Sequence, residues 1–165
     1  MMTLDGFTKQ SELSCFLDAV PGTVAAFDVA DVPPRLWPYL YLLDVDGPGL
    51  IVRLTGDRLR HTFGRDLRGV DLRRIIHGPD THTVTAAYDG AIAERHRVAM
   101  RRTVHLRERN VTCRIECAFT PLIERDVVRQ IVGCLFSDYI TFSEGDTEET
   151  VIVTLAPPRE NAVIG

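Results

Sequence analysis

The sequence predicts an α+β domain in which an antiparallel sheet of five strands carries its helices on one face. Three observations predict it. Residues 39–45 and 50–55 are rich in β-forming side chains and flank Asp46-Gly47-Pro48-Gly49, which is strong turn chemistry, so they read as a hairpin. From residue 53 to residue 72 the chain stops making strands, and Gly56, Gly64 and Gly69 punctuate short apolar pairs at helical spacing. Beyond a longer helix, residues 98–106, 111–119 and 131–139 supply three more strands. Strands and helices that come in separate runs belong to the α+β class.

Taken in order, Leu13, Phe16, Leu17 and Val20 fall at i, i+3, i+4 and i+7, and Pro21-Gly22 follows, so a helix is predicted over 11–20, outside the main domain. Residues 23–35, with Pro33-Pro34, read as an extended lead-in with one helical turn. After the hairpin, Asp57 stands where a helix N-cap oxygen is useful, Leu59 and Phe63 share a face, and Gly64 suits a left-handed C-terminal position. The longest helix starts near Pro79 or Asp80 and runs to Arg95, with Val84, Ala87, Tyr88, Ala91 and Ile92 on one apolar face. In 111–119 apolar and polar residues alternate, which predicts one buried and one largely wet face. Residues 131–139 are apolar on both parities, a strand covered on both sides, and the N-terminal helix is the natural second cover. Residues 150–155 read as a further short strand and those from Ala156 as a mobile tail.

A chain of 165 residues has the size of one domain with appendages. Hydrophobic residues at 45% and charged residues at 25% are ordinary for a soluble globular protein. The net charge of -4 provides no general attraction for nucleic acid or anionic lipid. Nearly all positive charge is arginine, Lys9 being the only lysine; genome composition accounts for this more cheaply than phosphate recognition does. The first residues lack the basic start and apolar run of a signal peptide, and no stretch is long enough for a membrane span, so a cytoplasmic protein is expected. Cys113 and Cys117 on one strand would stand about 13 Å apart by strand rise. With Cys15 and Cys134, they are expected as buried reduced thiols.

Read as a string, Leu42-Leu43-Asp44, Arg53-Leu54-Thr55-Gly56 and Gly64-Arg65-Asp66-Leu67-Arg68-Gly69 resemble the strand ends and helical connection of PAS-type sensory domains, closest to a bacterial stand-alone subfamily. By spacing alone the same segment is only a β-to-α switch. The resemblance covers about residues 31–139. It implies a strand order of 2-1-5-4-3 and a division into a flanking helix with lead-in (1–30), a sensory domain (31–140) and a C-terminal extension with a short strand and tail (141–165). Flavin photochemistry in PAS relatives needs a cysteine just after the Gly-Arg turn. Leu67 stands there, so covalent flavin chemistry is not expected. His82 lies where haem-binding relatives carry their iron ligand. One histidine without a supporting motif is a weak haem candidate, and the five histidines share no metal-ligand spacing, so the cofactor stays open.

The candidate ligand pocket lies between the long helix and the sheet, lined by Tyr88, Ile92, Met100, Cys117 and Phe119, with Arg102 at its polar end. Arg102 shares the parity of Val98, Met100 and Val104, and a cation on an apolar side requires a partner. A ligand anion would serve; so would Glu116 across the sheet, or a β-bulge at Arg101-Arg102 would turn the side chain out. Leu13, Phe16, Leu17 and Val20 are the candidate homodimer contact. The reading is a non-catalytic sensory module in bacterial signal transduction, binding a small molecule or a protein and acting on a separate output protein, with no nucleic acid or membrane partner. Two other classes remain: a small cone-fold enzyme of the isomerase or dehydratase kind, using Asp89 with His105 or Asp138 with His82, and a purely structural dimerisation domain with a filled core.

Overall fold

The structure is a computed structural model and describes residues 4–76, 81–106, 110–137 and 146–157. In chain order it contains helix α1 (Gln10–Ala19), 3-10 turns at Val29–Asp31 and Pro34–Tyr39, strands β1 (Leu40–Asp46) and β2 (Gly49–Thr55), helix α2 (Asp57–Phe63), and a 3-10 turn at Leu72–Arg74. Helix α3 (Thr81–Glu94) and strands β3 (Arg97–Leu106), β4 (Val111–Glu124), β5 (Val127–Ser137) and β6 (Asp146–Leu155) follow. The strands form one antiparallel sheet in the order β2-β1-β5-β4-β3-β6. The fold class and the implied order 2-1-5-4-3 are present, with a sixth strand added at the β3 edge. That strand was expected over 150–155; it begins at Asp146 and pairs along nearly all of β3. Most of the tail expected from Ala156, the start of the long helix near Pro79 and residues 138–139 lie outside the described residues.

Side-chain alternation gives the sheet two buried faces. On one, Tyr41, Leu43, Val98, Met100, Cys117, Phe119 and Ile131 pack against Leu59, Leu67, Ile75 and the α3 residues Val84, Ala87, Tyr88 and Ala91. On the other, Leu42, Ala99, Ala118, Val132, Cys134 and Phe136 pack against Leu4, Phe7, Leu13, Phe16, Leu17 and Val20. This second core corrects the dimer assignment. Leu13, Phe16, Leu17 and Val20 are 0–2% exposed within the single chain, so the stripe is consumed by the protein's own sheet. The amphipathic pattern reported that the helix has a partner, and within the chain that partner is the sheet, β4 above all.

Other local differences have physical reasons. Gly56, not Asp57, occupies the N-cap of α2, and Asp57 pairs with Arg60 within the first turn instead. Gly64 closes α2 in the left-handed region at φ 71°, as the sequence requires. Strand β4 runs past Phe119 through Pro121 to Glu124, because Pro121 lies beyond the β3 pairing and has Ile131 of β5 beside it. Farther on, Ile123 exchanges backbone hydrogen bonds with the lead-in at Gly22 and Val24. Among the described residues no helix is long and apolar enough to cross a membrane.

Candidate functional site

The site is built on a row of neighbours across three strands. Tyr41 of β1 faces Gly133 of β5, and Gly133 faces Phe119 of β4. The ring of Tyr41 lies over Gly133 so closely that a Cβ there would stand 2.0 Å from its Cζ. Only glycine leaves room for that ring. From α3, Tyr88 descends onto this row. Its ring stacks on Phe119 with centroids 4.1 Å apart and planes 6° from parallel, and its hydroxyl lies 2.8 Å from that of Tyr41.

Burial pushes the Tyr41 hydroxyl well above tyrosine's ordinary pKa, and the neighbouring Tyr88 adds to the effect. Burial raises Tyr88 likewise, with nearby Arg102 pulling the other way. Both phenols therefore stay protonated, and one donates to the other. No other hydrogen bond to either oxygen is made by the described residues, so among them one of the two O–H hydrogens has no oxygen or nitrogen acceptor. Burial also pushes the Cys117 thiol up to about 12, against the pull of Arg102. Cys113, Cys117 and Cys134 are buried free thiols, while Cys15 is half-buried.

Of the expected pocket residues, Tyr88, Met100, Cys117 and Phe119 are buried together, and Ile92 packs at the margin of the same core. The stack of Tyr88 on Phe119 occupies the middle of this group. Arg102 is 9% exposed. Its register opposite Ile115 is regular and free of a bulge, which puts it on the Met100 side. Glu116 is opposite Arg101 and faces α1, so the expected Arg102–Glu116 pair does not form. Asp89 is engaged by Arg73 at 2.5 Å and His105 lies against Thr112, so the Asp89–His105 couple is not assembled; Asp138 lies outside the described residues. His82 is exposed on the first turn of α3, whereas Val84, Ala87, Tyr88 and Ala91 face the core. Leu67, in the position that the resemblance assigns to a photoactive cysteine, is buried in the α3-side core.

Glu116 does different work. Its carboxylate, on a residue 2% exposed, accepts from the Thr8 backbone N–H at 3.1 Å, the Thr8 hydroxyl, the Lys9 backbone N–H at 3.0 Å and Arg114 Nε at 2.7 Å. A strand carboxylate thus caps α1, whose own N-cap residue makes no side-chain cap. Burial alone would raise the Glu116 pKa, but these donors outweigh it and hold the group below the ordinary carboxylate range. Tyr41, Gly133 and this role of Glu116 were not singled out by sequence reasoning. The strand alternation contained a signal for Glu116, a charged residue between the apolar positions 115 and 117.

The PAS domain family model matches residues 25–136. Similar solved structures include a LOV protein from Rhodobacter sphaeroides, with 17% identity, 63% of this chain and 64% of that chain covered, and a TM-score of 0.46. The match to a fungal LOV domain photoreceptor has 16% identity, coverage of 81% and 94%, and a TM-score of 0.48. That to a PAS domain from Colwellia psychrerythraea has 16% identity, coverage of 70% and 100%, and a TM-score of 0.43. No curated protein matches the chain.

Proposed function

This chain belongs to the PAS domain family, and on that premise we propose that it is a non-catalytic sensory module that reads a small planar molecule between α3 and the sheet and acts on a separate output protein. The observation that carries the reading is the Tyr41–Tyr88 hydroxyl pair with its spare hydrogen. A core filled for stability alone does better with apolar side chains, since a buried donor without an acceptor costs about 1–3 kcal/mol. A ligand bearing a carbonyl or similar acceptor would take that hydrogen. By displacing the Tyr88 ring, a flat ligand would also inherit the face of Phe119.

The route outward is short. Glu116, which anchors α1, and Cys117, which faces the candidate pocket, are consecutive on β4 and point to opposite faces. A shift of β4 under an altered Tyr88–Phe119 contact therefore reaches the N-terminus of α1, the element available to signal to a second protein.

A thermal-shift screen of planar small molecules tests this. A ligand at a hundred times its Kd stabilises the folded protein by about 2.7 kcal/mol, and Phe119→Ala must remove that shift. Stacking of Tyr88 on Phe119 also favours a second reading, a structural module with its core filled. That reading predicts no ligand shift in the wild type or in Tyr88→Ala.

A further inference from the structure

Beside the N-terminus of α1 lies an open cleft of about 330 Å³ whose walls include Lys9, Tyr39, Arg58, Arg114, Glu116 and Phe136. Glu116 and Phe136 face each other across β4 and β5 on the α1 side of the sheet. The cleft is therefore separate from the Tyr88 site and independent of the proposal made for it.

Its charges do not cancel. The single carboxylate, Glu116, spends both oxygens on Thr8, Lys9 N–H and Arg114. Arg114 is further fixed by Gly6 O. The Lys9 ammonium lies 5.5 Å from the centroid of Phe136, held over the ring face and not by an acid. Neither the Lys9 ammonium nor the Arg58 guanidinium has a carboxylate partner among the described residues. Next to these cations Tyr39 and Phe136 form a tilted aromatic pair with centroids 4.5 Å apart, an apolar wall for a flat group.

We propose that this cleft binds a small aryl anion, with the anionic group between Lys9 and Arg58 and the ring against Tyr39 and Phe136. Lys9 and Arg58 supply the charge-assisted hydrogen bonds, and the aromatic wall supplies selectivity over a bare ion. Of these two cations Lys9 is positioned over Phe136 before the ligand arrives, which reduces the ordering cost of binding.

Lys9 is the only lysine, so reductive ¹³C-methylation places an NMR reporter in the cleft, with the terminal amine as the only other labelled amine. Titration with phenyl phosphate or benzoate is expected to shift the Lys9 methyl signal saturably, and the tighter of the two identifies the head group. Inorganic phosphate should bind at least ten-fold more weakly and benzamidine, an aryl cation, should leave the signal in place. Arg58 is exposed, so Arg58→Glu should weaken aryl-anion binding ten-fold or more with the amide spectrum unchanged, and Arg58→Gln should weaken it less. Equal affinity for inorganic and phenyl phosphate, a comparable response to benzamidine, or an unchanged Kd in both Arg58 variants overturns the proposal.

Discussion

The ring of Tyr88 lies flat on that of Phe119, 4.1 Å between centroids and 6° from parallel. One side chain comes from α3 and the other from β4, so this contact sets how the helix rides on the sheet. Such pairs contribute about 0.5–1.5 kcal/mol beyond the area they bury.

The Tyr41–Tyr88 hydroxyl pair predicts non-additive mutants. Tyr88→Phe leaves the Tyr41 hydroxyl without its partner and should cost about 1–3 kcal/mol, as should Tyr41→Phe. The double mutant should lie near either single mutant or above it in stability, because both polar groups are then gone. Urea denaturation of the three variants checks this, and additive losses contradict it.

Gly133→Ala should be strongly destabilising, since its Cβ would stand 2.0 Å from Tyr41 Cζ. Overpacking of this kind costs about 1–3 kcal/mol or more. Tyr41→Ala on the same chain should relieve most of that cost, a coupling visible in a double-mutant cycle. If the two losses simply add, the Tyr41 ring does not occupy the space over Gly133.

Glu116→Gln should loosen α1 by about 1.5–3 kcal/mol, the range for hydrogen bonds to a charged group. The folded-state pKa of Glu116 is depressed, so its contribution is fully present above the ordinary glutamate value of about 4.3 and is lost as pH falls through the folded pKa. Stability curves of wild type and Glu116→Gln should accordingly run apart at neutral pH and converge in acid. Amide exchange in α1 should speed up in the variant at pH 7 while α3 is unaffected.

Removing residues 1–20 should not yield a clean, smaller species. It uncovers Leu42, Ala99, Ala118, Val132, Cys134 and Phe136, so the expected outcome by light scattering is aggregation, with increased dye binding to exposed apolar surface. Phe16→Ala should cost about 3–5 kcal/mol with no change in the mass in solution. A stable truncated protein of half the original mass would restore α1 as a dimer contact.

Much of this was legible because periodicity survives folding. The alternation of Cys113, Ile115, Cys117 and Phe119, the glycine at 64 and the turn at 46–49 specify strands and breaks by local geometry. The stripe Leu13, Phe16, Leu17 and Val20 showed that α1 buries a face. It did not show in what, because a helix pattern is the same whether the covering surface belongs to the same chain or to another. Tyr88, Met100, Cys117 and Phe119 were correctly placed on one buried face, since helix and strand parity both pointed inward. The partnership of Tyr41 with Gly133 and Tyr88 was not legible. It depends on which strands are neighbours, on a register set by the whole sheet, and on an absent side chain that no local pattern marks. The capping of α1 by Glu116 was hidden for the same reason, 107 residues separating donor from acceptor.

Native mass spectrometry of the protein as purified, comparing wild type with Phe119→Ala under gentle ionisation, asks whether a ligand occupies the space between α3 and the sheet. Part of the wild-type population is expected to carry a discrete non-covalent small-molecule mass, released by mild activation and missing from Phe119→Ala. Bare-chain masses for both proteins, persisting after incubation of the wild type with every ligand found by thermal shift, would contradict it and leave the interior of this PAS domain as a filled structural core.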